Sequence, residues 1–142
     1  MKIALASDHA GVKLKEEVKN FLERKKHIVR DLGPYCQDYS VDYPDFAKKA
    51  ARMVSSKKVS RGILICGSGI GMSIAANRFK GVRAAACESS YTTRMSRLHN
   101  DANILCIGAR ILPKKRALKI IDIWLSTGFE GGRHKKRVRK LG

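Results

Sequence analysis

What most constrains this chain is an alternation sustained from end to end, in which short apolar runs give way to amphipathic stretches. Lys2–Ala6 reads as a buried strand, and Val12–Lys26 sets Val12, Leu14, Val18, Phe21 and Leu22 on one stripe of a helix. His27–Leu32 is a second strand, stopped by Gly33-Pro34. After a polar loop, Pro44 suits the first turn of a helix that runs to about Ser55. Gly62–Cys66 is a third strand and is almost wholly apolar, as a strand covered on both faces must be. A tight turn at Gly67–Gly71 leads into a helix through about Phe79. Val82–Cys87, Ser90–Leu98, Asn103–Ile107 and Pro113–Leu125 continue as strand, helix, strand and helix. Strand–helix units with short connections require a parallel sheet with right-handed crossovers. The expected fold is a Rossmann-like three-layer α/β sandwich, its five parallel strands in the order 2-1-3-4-5 with helices on both faces. Residues 1–142 form one expected domain, with a basic C-terminal segment at about 130–142.

Composition narrows the function classes. A hydrophobic content of 44% fits a globular chain, and no apolar run reaches the ~18 residues of a membrane helix. The opening Met-Lys-Ile-Ala-Leu-Ala is too short an apolar run for a signal peptide, so a cytoplasmic chain without membrane contact is expected. Cys36, Cys66, Cys87 and Cys106 lack CxxC spacing and nearby paired His ligands, which argues for free thiols and against bound zinc. The net charge is +18, and six of the 30 Lys and Arg residues fall within 133–140. That run suits either a nucleic-acid tail or a solvated surface with a few arginines recruited to a phosphate. With nine aromatic residues and no helix-turn-helix or RRM pattern, the nucleic-acid reading is the weaker one.

In open parallel sheets ligands bind beyond the carboxyl ends of the strands, where the strand order reverses. The turns after strands one and three are Ser7-Asp8-His9-Ala10-Gly11 and Cys66-Gly67-Ser68-Gly69-Ile70-Gly71. Three alternate glycines expose the N–H groups of residues 67–71 beside a helix N-terminus, a nest suited to a phosphate or a developing oxyanion. The spacing is neither a P-loop nor a dinucleotide fingerprint. Cys66 precedes this nest, and the positive end of a helix favours the thiolate, a base or nucleophile. Cys87 and Cys106 read as core filler. His9 can donate to a phosphate or hydroxyl, while Asp8 either orients a sugar hydroxyl or caps the following helix. His99-Asn100-Asp101 is a second polar cluster before strand five. Arg133 and Arg137, four residues apart, face one way on a helix and make a phosphate site, to which Arg110 adds a third cation.

Five separated segments resemble the ribose-5-phosphate isomerase B family and its galactose-6-phosphate isomerase relatives. They are Ser-Asp-His-Ala-Gly (7–11), Val-Asp-Tyr-Pro-Asp (41–45), Gly-Ile-Leu-Ile-Cys-Gly-Ser-Gly-Ile-Gly-Met-Ser-Ile-Ala-Ala-Asn (62–77), His-Asn-Asp-Ala-Asn (99–103) and Gly-Gly-Arg-His (131–134). The resemblance implies interconversion of ribose 5-phosphate and ribulose 5-phosphate without metal or cofactor. It implies Cys66 as the base at sugar C2, and the nest of Gly67, Ser68, Gly69, Ile70 and Gly71 around the enediolate. Ser68 and His99 would assist ring opening, with His99 as the proton donor. Asp8, His9, Tyr43 and Asn100 would contact the sugar, and Arg110, Arg133 and Arg137 would join His9 at the phosphate. Ser68 stands where many relatives have Thr. Residues 71–75 offer none of the carboxylate that some relatives use, so Cys66 is the evident base.

Strands three and five, placed two spacings apart, would hold Arg110 and His99 about 10 Å from Cys66. A homodimer with shared sites, as the resemblance implies, or a tetramer built from it, is expected. The same motifs would accept allose 6-phosphate or galactose 6-phosphate. A cysteine hydrolase using His9 or His99 and a basic nucleic-acid module are the other readings.

Overall fold

The computed structural model describes residues 1–142. Its strands are β1 (Lys2–Ser7), β2 (Ile28–Asp31), β3 (Arg61–Cys66), β4 (Ala84–Ala86) and β5 (Ile104–Gly108). Its helices are α1 (Val12–Arg24), α2 (Tyr43–Ser55), α3 (Ile70–Ala76), α4 (Ser90–Leu98), α5 (Lys114–Ser126) and α6 (Gly132–Arg139), with a 3-10 turn at His9–Gly11. All strand pairs are parallel. No helix is long and apolar enough to cross a membrane.

Period-two alternation divides the core into two layers. Ile3, Leu5, Ile63, Ile65, Leu105 and Ile107 face the side that holds α1 and α5, around the fully buried Trp124. Ala4, Ala6, Leu64, Cys66, Ile104 and Cys106 face α2 and α3. The three-layer α/β expectation holds, and α6 gives the basic C-terminal segment its helix.

The order of the outer strands differs from the expectation: the sheet runs β2-β1-β3-β5-β4. The reason lies in the strands themselves. Every residue of β5 is buried, which suits a strand flanked on both sides, whereas β4 is three alanines, none of them buried. Short and partly exposed strands belong at edges. Asn77 also ends α3 at Ala76, short of the expected Phe79. Its side chain accepts from Ala84 N–H at 2.8 Å and donates to Ala84 C=O at 2.9 Å, which fastens it to the start of β4.

The exchanged order has a consequence for ligand binding. Right-handed crossovers place a helix on one sheet face when the chain steps one way and on the other face when it steps back. The chain turns away from β1 towards one face, from β3 towards the other, and from β5 towards the first again. β3 therefore has a crevice on each side of its carboxyl end, and Cys66 is its last residue.

Candidate active site

Four loops meet at the carboxyl end of β3. Cys66 is 4% exposed, and its Sγ accepts the Gly69 N–H at 3.1 Å. That bond folds the turn over the sulfur and is made possible by Gly69, whose φ of 81° favours glycine. The Ile70 N–H is taken by Ser68 Oγ at 3.3 Å. The N–H groups of Gly67, Ser68 and Gly71 have no acceptor within the chain. Of the five N–H groups anticipated in the nest, three are thus available to a ligand.

The turn after β5 closes over this loop. Ala109 and Arg110 donate their N–H groups to the Cys66 and Gly67 carbonyls at 2.8 and 3.1 Å. A methyl group on Gly67 would lie 3.4 Å from Arg110 Nη1, so the guanidinium stands directly against the turn. The expected two-spacing separation is corrected here: β5 is hydrogen-bonded to β3, and Arg110 belongs to the Cys66 site of its own chain. At Gly71 a Cβ would sit 2.7 Å from the Tyr43 ring, which brings the start of α2 over the same loop.

On the β1 side, Asp8 Oδ1 caps the 3-10 turn, accepting from Ala10 N–H at 2.9 Å and Gly11 N–H at 3.2 Å. Capping therefore occupies this oxygen and leaves Oδ2 without a partner in the chain. His9 Nδ1 accepts the Val41 N–H at 3.2 Å. In the neutral ring the proton then sits on Nε2, which becomes a donor. Gly11 is required because a Cβ there would lie 2.7 Å from the Ile65 carbonyl.

His99, Asn100, Arg133 and Arg137 form a second cluster elsewhere. His99 caps the C-terminus of α4, and the Asn100 carbonyl accepts from Arg83, just ahead of β4. This cluster lies at the amino ends of β4 and β5, whereas Cys66 pairs with Gly108 at the carboxyl end. The four residue steps from Ile104 to Gly108 alone span about 13 Å. The structure thus gathers Asp8, His9, Tyr43, Cys66–Gly71 and Arg110 at one end of the sheet, and the remaining four candidates at the other.

Two residues that the sequence did not single out join the second cluster. The His134 ring stacks on His99 with centroids 4.2 Å apart, and Glu130 Oε2 lies 3.9 Å from Nε2 of both rings. Burial, together with the neighbouring His99, lowers the His134 pKa below the ordinary imidazole value. A cavity of about 270 Å³ opens here, lined by His99, Asn100, His134, Arg137, Val138 and Leu141. A larger cavity of about 810 Å³ lies between α1, the loop at Tyr35–Asp38 and the start of α5, and does not reach Cys66. Burial pushes the Cys87 and Cys106 thiols up, in keeping with their reading as core filler.

The fold and the crevice define a class: a doubly wound α/β protein with a thiol, free backbone N–H groups and an arginine at the switch point of its sheet. The chain matches the ribose/galactose isomerase family model over residues 3–141, and it belongs to that family. It is 43% identical to ribose-5-phosphate isomerase B of Escherichia coli, a match covering 99% of this chain and 93% of that one. Among solved structures, ribose-5-phosphate isomerase B of Clostridium thermocellum superposes with a TM-score of 0.98 at 52% identity, covering 100% of this chain and 95% of the other. The enzyme of Mycoplasma genitalium, solved with bound ribulose 5-phosphate, gives a TM-score of 0.95 at 43% identity, covering 99% and 93%.

Proposed function

We propose that this chain is an aldose–ketose isomerase that interconverts ribose 5-phosphate and ribulose 5-phosphate, with Cys66 as its base. The observation that carries the assignment is the Cys66 sulfur, held by the Gly69 N–H beside three N–H groups that lack acceptors.

In this reading His99, with Ser68, opens the sugar ring by protonating the ring oxygen. The thiolate then takes the proton from C2 of the open aldose; the C2–H electron pair forms a C1=C2 bond while the C1=O π pair moves onto O1, giving an enediolate. Return of that proton to C1, with the O2 hydroxyl proton passing to O1, turns C2–O into the carbonyl of the ketose. Fixed N–H donors that meet the developing oxyanion are typically worth about 3–4 kcal/mol each in acyl-transfer enzymes, and Gly67, Ser68 and Gly71 are the donors here. His9, through Nε2–H, and Arg110 hold the phosphate from one chain, while Arg133 and Arg137 reach it from a second copy. Asp8, Tyr43 and Asn100 contact the hydroxyls. Binding energy from the phosphate positions C1 and C2 for proton transfer.

Because the residues needed stand at opposite ends of the sheet, the working unit is a homodimer with shared sites, whether or not two dimers pair further. The free thiols Cys36, Cys66, Cys87 and Cys106 suit the reducing cytoplasm.

A coupled assay on ribose 5-phosphate, allose 6-phosphate and galactose 6-phosphate tests the substrate. The highest kcat/KM is expected on the pentose, and a higher value on either hexose overturns that choice. Cys66→Ala should lower turnover by about 10²- to 10⁴-fold with the fold intact, the usual contribution of a positioned base. Near-normal turnover would remove Cys66 from the mechanism.

A further inference from the structure

We propose that Arg83 and Asp101 are positioning residues for the isomerase reaction, a clamp across the turn that presents His99 and Asn100. The catalytic half rests on the isomerase reading, in which those two side chains meet the sugar.

Asp101 has a φ of 47°, in the left-handed region that suits glycine best and admits Asp or Asn as single residues. Helices commonly end on such a residue, and α4 does so just after His99. What glycine cannot supply there is a carboxylate. Asp101 Oδ1 accepts from Arg97 Nη1 at 2.8 Å, and Oδ2 accepts from Arg83 Nη2 at 2.9 Å. It is the only carboxylate paired with either arginine.

Arg83 holds the same turn by its backbone. Its Nε donates to the Asn100 and Asp101 carbonyls, both at 3.0 Å, so one guanidinium grips two successive carbonyls and a carboxylate. Such a grip needs donors in a rigid fork, which lysine lacks. Arg83 is itself fastened, its N–H donating to Asn103 Oδ1 at 2.8 Å and its carbonyl accepting the Asn103 N–H at 3.0 Å. The edge strand β4 begins at the next residue, so the clamp ties the turn to the edge of the sheet. On the opposite side the buried Arg97 also donates to the Ala102 and Thr127 carbonyls, at 2.6 and 3.2 Å. Those bonds hold α4 to the connection that leads into α6, and they do not need the carboxylate.

The side chains presented by the turn have little of their own to hold them. The Asn100 amide makes no hydrogen bond within the chain, and the His99 ring only stacks on His134 and lies 3.9 Å from Glu130 Oε2. Where both stand is therefore set by the backbone beneath them, which the clamp fixes.

The test uses the full-length protein carrying Arg83→Lys, which keeps the charge and loses the fork, or Asp101→Gly, which keeps the backbone conformation and loses the carboxylate. Arg83→Lys leaves the buried Asp101–Arg97 pair intact and should fold even where Asp101→Gly does not. With ribose 5-phosphate, kcat should fall about 10- to 100-fold in each variant, since a misplacement of about 1 Å can cost 10²-fold. KM should stay within about threefold of the parent, because His9, Arg110, Arg133 and Arg137 at the phosphate lie outside the clamp. The double variant should lose little more than the worse single one, since both changes act on one turn. In NMR spectra the His99 ring protons should leave the shifts set by their stack on His134. A role in stability alone predicts a lower Tm with kcat per folded chain unchanged, and a role for the backbone conformation alone predicts full turnover in Asp101→Gly. Either result overturns the proposal, as do losses that multiply in the double variant. An unmoved His99 ring in Arg83→Lys overturns the clamp itself. No turnover in the parent protein overturns the isomerase reading, and the catalytic half with it, whatever the ring protons show.

Discussion

At the scale of single residues, a methyl group tests the Cys66 turn from two sides. A Cβ on Gly108 would stand 2.9 Å from the Gly67 carbonyl oxygen and from two backbone atoms of Ser68, none of which can rotate away. Gly108→Ala should therefore cost about 1–3 kcal/mol of stability by overpacking, and it should lower turnover by displacing the turn. Gly128→Ala, where a Cβ meets nothing, should leave turnover unchanged, and denaturant unfolding with steady-state kinetics reads both. The sequence marked Gly67, Gly69 and Gly71 because they are spaced along one turn. Gly108 escaped notice because its constraint comes from a contact between two strands whose adjacency was not known. Glu130 and His134 were missed for a similar reason: only the docking of α6 against the end of α4 brings them to His99. A second residue-scale expectation concerns acid. Burial, with the amino terminus, Lys25 and Arg61 nearby, lowers the His27 pKa. The unfolded chain then binds this proton first, so between the ordinary and lowered values stability rises with pH and falls with acid. His27→Gln should lose less Tm than the parent protein between about pH 7 and pH 5, the range in which an ordinary imidazole titrates.

At the scale of elements, the five strands and the helices between them were legible because each carries its own periodicity. Pairing is not local, and there the apolar runs alone were insufficient. The difference between the alanines of β4 and the wholly apolar β5 was the usable clue to which strand takes the edge. The polar stripe of α1 holds a second departure. Lys15 lies outside the apolar stripe, yet it is 0% exposed and meets both carboxylate oxygens of Asp31 at 2.7 and 2.8 Å. Asp31 also accepts the Gly33 N–H at 3.0 Å, and the Tyr35 ring lies 4.9 Å from the Lys15 ammonium. The pair thus fastens α1 to the end of β2 and to the start of the loop that reaches His9 through Val41. Lys15→Met leaves Asp31 with Lys19, at 3.8 Å, as its only cation, and should cost about 3–5 kcal/mol, the penalty for stranding one partner of a buried pair. Adding Asp31→Asn should recover most of that loss, as measured by chemical denaturation.

At the scale of the whole molecule, the charge of +18 was visible at once, while its distribution needed the fold. Arg133, Lys136, Arg137 and Lys140 line one cavity of about 400 Å³ on α6, far from the thiol. On α3, Ile70 and Ile74 are 54% and 64% exposed, one turn apart beside the Cys66 loop, and form an exposed apolar patch. Sharing is testable by mixing chains. Cys66→Ala and His99→Asn are each expected to be inactive, yet a randomised mixture should regain about a quarter of parent activity, since half the dimers are mixed and each has one intact site. No recovery counts against shared sites. Under the shared-site proposal, the separation of Cys66 from Arg133 and Arg137 along the sheet would also make catalysis depend on protein concentration. On the shared-site proposal a solitary chain owns half of each of two sites, so specific activity should decline once the protein is diluted below the dissociation constant of its dimer. An assay at nanomolar enzyme would then report association as much as chemistry, with rate rising as the square of protein concentration.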